Sequence, residues 1–138
     1  MFTCDIPIRF GDVDHAKIVY YPRFFHYCHV AMEELFAKVV GVPYHDVIVR
    51  DRVGFPVVNI QSEFLTTLGF GETLRMRVGV ERIGKSSVVF RYEGHRASDG
   101  EKAFSASITT VSVDMDRFEP IPVPPRYRVA LERLISGA

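Results

Sequence analysis

Asp12, Asp14 and His15 stand within four residues of one another in the stretch FGDVDHAKIVYYPRFF, Phe10 to Phe25. A carboxylate beside an apolar cleft can attack an activated carbonyl carbon or take a proton from water. An imidazole titrates at about pH 6.5 and can move protons near neutrality. Acids before a helix also have a structural use, since they complement its dipole and satisfy its free N–H groups. Asp12 suits that bracing role. Asp14 precedes HAKIVYY, which is too apolar for a solvated loop, so its carboxylate is expected beside a partly buried cleft. A purely structural role therefore suits Asp14 less well than Asp12. His15 either meets a substrate and helps a proton move, or fills the loop.

The elements that must hold these residues follow from periodicity. Residues 4–10 alternate and are β-branched, as a strand requires. Phe24, Cys28, Ala31, Met32, Leu35, Phe36 and Val39 recur at helical spacing. Pro22 fits the first turn, and Gly41 and Pro43 stop the segment. The result is a helix of roughly five turns, too apolar to stand in solvent, which a sheet must cover. PYHDVIVRD forms a short helix or turn. FPVVNIQSEFL reads as a strand and TTLGFGE as a loop. TLRMRVGVERI alternates, with Leu74, Met76, Val78 and Val80 on one face and Arg75, Arg77 and Glu81 exposed. Gly84-Lys85 turns the chain into SSVVFRYEGHRAS, and Asp99-Gly100 is a hairpin turn. KAFSASITTVSVDM is the last long strand, and PPRYRVALERLIS a short amphipathic helix. Strand, long helix, four strands in a largely antiparallel meander and a terminal helix make an α+β chain. Apolar edge strands on such a sheet favour self-association.

Composition narrows the function classes. A chain of 138 residues suits one domain, 1–138, and 47% hydrophobic residues supply its core. Lys plus Arg equals Asp plus Glu at 17 each, so the net charge is zero. That argues against a bulk electrostatic hold on nucleic acid or an anionic membrane. No apolar run reaches the roughly 20 residues of a membrane span. MFTCDIPIRF lacks the charged start and apolar block of a signal peptide. Cys4 and Cys28 are isolated thiols without disulfide or zinc spacing, read as apolar fillers in a reducing, cytoplasmic setting. His26 and His29 flank Cys28 on the helix without a third metal ligand in view, and read as polar edges.

The order strand, D-x-D loop, small residue, apolar pair, aromatic, helix resembles the hotdog-fold acyl-CoA thioesterases, most closely the 4-hydroxybenzoyl-CoA thioesterase type. EFLTTLGFGETL and VERIGKSSVVFRYE resemble later strands of the same family, so the likeness spans nearly the whole chain. It implies a hotdog fold, an antiparallel sheet wrapped around one long central helix. It implies hydrolysis of an acyl-CoA thioester, aromatic or short to medium, to free acid and coenzyme A. Asp14 matches the catalytic acid, as nucleophile or general base. The backbone N–H of Tyr21 matches the donor to the thioester oxygen. His15, Val19 and Tyr20 fall beside the substrate. Arg82, Lys85, Ser86 and Ser87 fall beside pantetheine and nucleotide, with Arg126 and Arg128 as further cations. The resemblance implies a homo-oligomer, a dimer or tetramer with the cleft between two subunits, and no cofactor beyond the substrate's coenzyme A. Lys17 departs from the family, which carries a small residue there, and TTLGFGE lacks the family's proline. Two other readings share the fold: a non-catalytic acyl-thioester binding module, and a dehydratase using His15 with Asp14.

Overall fold

The computed structural model describes residues 1–135. Strand β1 (Phe2–Pro7) is followed by a single 3₁₀ turn (Phe10–Asp12) and helix α1 (Arg23–Leu35). The first strand thus ends three residues before the expected Phe10, because the Asp12 carboxylate takes the Arg9 N–H at 3.0 Å and curls the chain. Helix α1 continues as a wider, π-type turn (Phe36–Val40) and stops at Gly41. Gly41 adopts φ +82°, open to glycine without steric cost, and the N–H groups of Gly41 and Val42 both close on the Phe36 carbonyl. The expected five turns are present, with only the first thirteen residues regular.

Then come α2 (Tyr44–Val49), β2 (Val53–Gly54), β3 (Val57–Phe64), β4 (Thr73–Ile83), β5 (Ser87–Arg96), β6 (Lys102–Val111), β7 (Val113–Asp114), β8 (Glu119–Pro120) and α3 (Pro125–Glu132). The end of the expected terminal helix, at Ser136, lies outside the described residues. The main sheet is antiparallel with order β1-β4-β5-β6-β3. The expected four-strand meander therefore holds only for β4, β5 and β6. Strand β3 crosses to the far side of β6, with Phe64 opposite Phe104, and leaves its other side unpaired. The last strand breaks at Ser112, where β7 joins a small sheet with β2 and β8.

The core lies between α1 and the sheet. Leu74, Met76, Val78 and Val80 are all buried, as their alternation requires, and meet Tyr27, Cys28, Ala31 and Leu35 of the helix. Among the described residues no helix is long and apolar enough to cross a membrane.

Candidate active site

The residues from Val13 to Val19 form a small hairpin. Val13 pairs with Val19, and Ile18 with Gly69. The Lys17 N–H donates to the Asp14 carbonyl at 2.9 Å, and the Asp14 N–H to the Ile18 carbonyl at 3.0 Å. Asp14 Oδ1 accepts the Ala16 N–H at 2.8 Å, which locks the turn. Lys17 closes it with φ +67°, the left-handed residue that such a turn-plus-bulge needs and that glycine usually supplies. Asp14 is thus held at a hairpin tip, and its Oδ2 has no hydrogen-bond partner among the described residues.

Within one chain Asp14, His15, Lys17, Tyr20 and Tyr21 are all exposed. The expected partly buried cleft around Asp14 is not formed by a single copy. Only Val19 is buried, with its N–H on the Leu68 carbonyl at 2.8 Å. Apart from buried Val19 and half-buried Ile18, HAKIVYY lies on the outer surface of this chain.

Asp12 does different work. Besides capping Arg9, it lies 3.8 Å from the Arg23 guanidinium, and its backbone carbonyl takes the Tyr20 N–H at 2.9 Å. The Tyr27 hydroxyl, buried nearby, has no hydrogen bond. Burial first, and then the neighbouring Asp12 carboxylate, hold that phenol well above its usual range.

At the helix start the donors are mostly spent. The Arg23, Phe24 and Phe25 N–H groups close on the carbonyls of Tyr20, Tyr21 and Pro22. Pro22 has no N–H. The Tyr21 N–H alone in this segment meets no acceptor among the described residues. Beside it runs an open groove of about 240 Å³, lined by Val19, Tyr21, Phe24, Phe64, Leu65 and Leu68 among others. The Tyr21 ring stands edge-on to Phe64, with centroids 5.8 Å apart, and so reaches the unpaired strand β3.

The turn of Arg82, Lys85, Ser86 and Ser87 is not brought to this place. Ser87 opens β5 opposite Val111, whereas the Phe64–Phe104 level meets β5 at Gly94. Seven residues of strand separate the two, roughly 23 Å at the usual rise. The turn is engaged locally: Arg82 pairs with Glu81 at 3.6 Å, and Arg128 donates to the carbonyls of Gly84 and Lys85. Arg126 is bound to Asp51. His29 bonds Glu33 at 2.8 Å, His26 is exposed, and no metal-holding cluster occurs among the described residues.

Arg96 was missed by sequence reasoning. Its guanidinium donates to the Thr67 carbonyl at 2.8 Å and pairs with Glu101 at 3.1 Å, Asp99 at 3.2 Å and Glu72 at 3.7 Å. It clasps the groove-lining loop 65–72 to the β5–β6 turn. No local pattern signals this, since Thr66 and Thr67 lie about thirty residues away in the chain.

The profile of the thioesterase-like superfamily matches residues 8–131. A 1,4-dihydroxy-2-naphthoyl-CoA hydrolase of Prochlorococcus marinus (strain NATL2A) is 28% identical over 114 residues, 78% of this chain and 72% of that protein. The 4-hydroxybenzoyl-CoA thioesterase of Pseudomonas sp. (strain CBS-3) is 29% identical over 94 residues, 67% of each. The crystal structure of a thioesterase-superfamily protein from Jannaschia sp. CCS1 superposes with TM-score 0.90 at 25% identity, covering 98% of this chain and 93% of the other. The fold and these relatives thus define the class, a hotdog-type thioester hydrolase. The chain belongs to the thioesterase-like superfamily.

Proposed function

We propose that this protein hydrolyses an acyl-CoA thioester to the free acid and coenzyme A, with Asp14 as the reacting carboxylate. The observation that carries the reading is the presence, in one short segment, of a carboxylate with one oxygen unbonded and a backbone N–H without an acceptor among the described residues. The groove beside Tyr21 takes the part of the substrate nearest the carbonyl. The carbonyl oxygen accepts from the Tyr21 N–H, which stabilises the charge that develops on attack. Asp14 acts by one of two routes. As nucleophile it forms an acyl anhydride and expels the thiolate, and water then cleaves the anhydride. As general base it takes a proton from the water that attacks the thioester carbon. The relatives named above act on hydroxyaryl acyl groups, which supports an aromatic acyl group here.

The active unit is a homo-oligomer in this reading. In the single chain Asp14 is exposed and β3 has a free edge, with Val57, Val58, Ile60 and Phe64 exposed by 52, 60, 41 and 47%. An edge of that length and apolarity calls for a second strand, and a second copy supplies it. The partner then covers Asp14 and brings a nucleotide-contacting turn, Arg82 and Lys85 to Ser87, near the site. No cofactor beyond the substrate's own coenzyme A is needed for either route. Two free thiols, Cys4 and Cys28, accord with a cytoplasmic setting.

The test is thiol release from acetyl-, hexanoyl-, benzoyl- and 4-hydroxybenzoyl-CoA by the parent and by Asp14→Asn. Asparagine keeps the side-chain oxygen that accepts the Ala16 N–H, so the hairpin stays folded. The expected fall in kcat is roughly 10²–10⁴-fold. Release that survives the substitution removes Asp14 from the chemistry. Binding of thioesters without release would favour a binding module, and a hydrated or dehydrated product a dehydratase.

A further inference from the structure

Lys17 is held in a left-handed conformation, φ +67°, at a position where glycine would cost nothing. A lysine there carries backbone strain that its side chain does not offset through packing, because the residue is exposed. Among the described residues its ammonium has no ion-pair or hydrogen-bond partner. Glu72, on the loop that pairs with Ile18, is already occupied by the Gly69 N–H at 2.8 Å and by Arg96. Two other non-glycine residues share this backbone region. Arg52 spends its side chain on Asp116 and the Ile48 carbonyl, and Phe118 sits at the β7–β8 turn. Lys17 is the one that stands on the hairpin of Asp14.

The turn from Asp14 to Lys17 keeps their Cα atoms within about 7 Å, and the lysine stem extends roughly 6 Å. The ammonium can therefore reach groups only a few bonds from any carbon that Asp14 can reach. We infer that Lys17 selects the acyl group: it receives an anionic substituent, a carboxylate or an ionised phenol, near the thioester carbonyl. This rests on the thioesterase reading above. A strained cation with no partner among the described residues of its own chain, on the hairpin of the proposed reacting carboxylate, fits a side chain that serves a ligand rather than its own fold.

The experiment compares 3-carboxybenzoyl-CoA with its neutral near-isostere 3-carbamoylbenzoyl-CoA. The ratio of their kcat/KM values is measured for the parent, Lys17→Gly and Lys17→Arg. The parent is expected to favour the carboxylate by roughly tenfold, Lys17→Arg to keep most of that preference, and Lys17→Gly to bring the ratio to about one. Lys17→Gly is also expected to melt about 2 °C higher as the strain is released. The same two thioesters are titrated calorimetrically into Asp14→Asn, with and without Lys17→Gly, so that affinity is read without turnover. Hydrolysis with no charge preference, or a preference that Lys17→Gly leaves intact, overturns the role of Lys17 while the thioesterase reading stands. Absence of hydrolysis with a Lys17-dependent binding preference does the reverse. Neither hydrolysis nor binding overturns both.

Discussion

Asp12 and Asp14 are two residues apart and differ in what their oxygens meet. Both Asp12 oxygens face groups of its own chain, the Arg9 N–H and the Arg23 guanidinium, and its side chain is mostly covered. Replacing it with alanine leaves the Arg9 N–H unpaired. Asp12→Ala is expected to destabilise the fold by about 1–2 kcal/mol, read as a lower urea midpoint at unchanged slope. An unchanged midpoint would remove Asp12 from the framework. The bracing use of Asp12 was legible in the sequence, because an acid next to a helix entry has an obvious capping role. The left-handed Lys17 was visible only as a departure from a family pattern. Lysine carries no local signal for that conformation, and the hydrogen bonds of the hairpin impose it.

At the scale of elements, periodicity located α1 and β4 to β6 well, since each has one face in the core and burial writes that face into the sequence. It could not place β3. The residues of β3 are exposed on both faces, so its pattern carries little information about its neighbour, and its partner β6 lies about forty residues further along. The loop 65–72 that shapes the groove is likewise set from a distance, by Arg96. Arg96→Ala is expected to release this loop and the β5–β6 turn together. Hydrogen exchange at Gly69 and Gly71 would rise by an order of magnitude or more, and KM for the thioester would increase roughly tenfold through loss of substrate positioning. Unaltered exchange at both glycines would show that the clasp does not control the loop.

For the molecule as a whole, the unpaired β3 edge and the exposed Asp14 hairpin both bear on the proposed oligomer. Pairing β3 with β3 of a second copy would join two five-stranded sheets and cover the Tyr21–Phe64 contact. Ile60→Lys places a charge on that edge, a device that blocks strand addition. Light scattering is expected to show the parent at twice its chain mass or a multiple of it, and the variant as a monomer. Thiol release should fall with the oligomer. A parent that is monomeric at working concentration, or a monomeric variant at full activity, would sink the shared site.

The sequence by itself determined the α+β class, the central helix, the strand faces and the short acidic segment on which the proposed chemistry rests. Those follow from local periodicity and from residue types within a few positions of one another. Tertiary structure decided the strand order, the free β3 edge, the Arg96 clasp, the roughly 23 Å of strand between the Phe64–Phe104 level and the Ser87 turn, and the exposure of Asp14. Each depends on contacts between residues distant in the chain, where hydrogen-bond pairing and packing, rather than local preference, choose among arrangements with the same pattern.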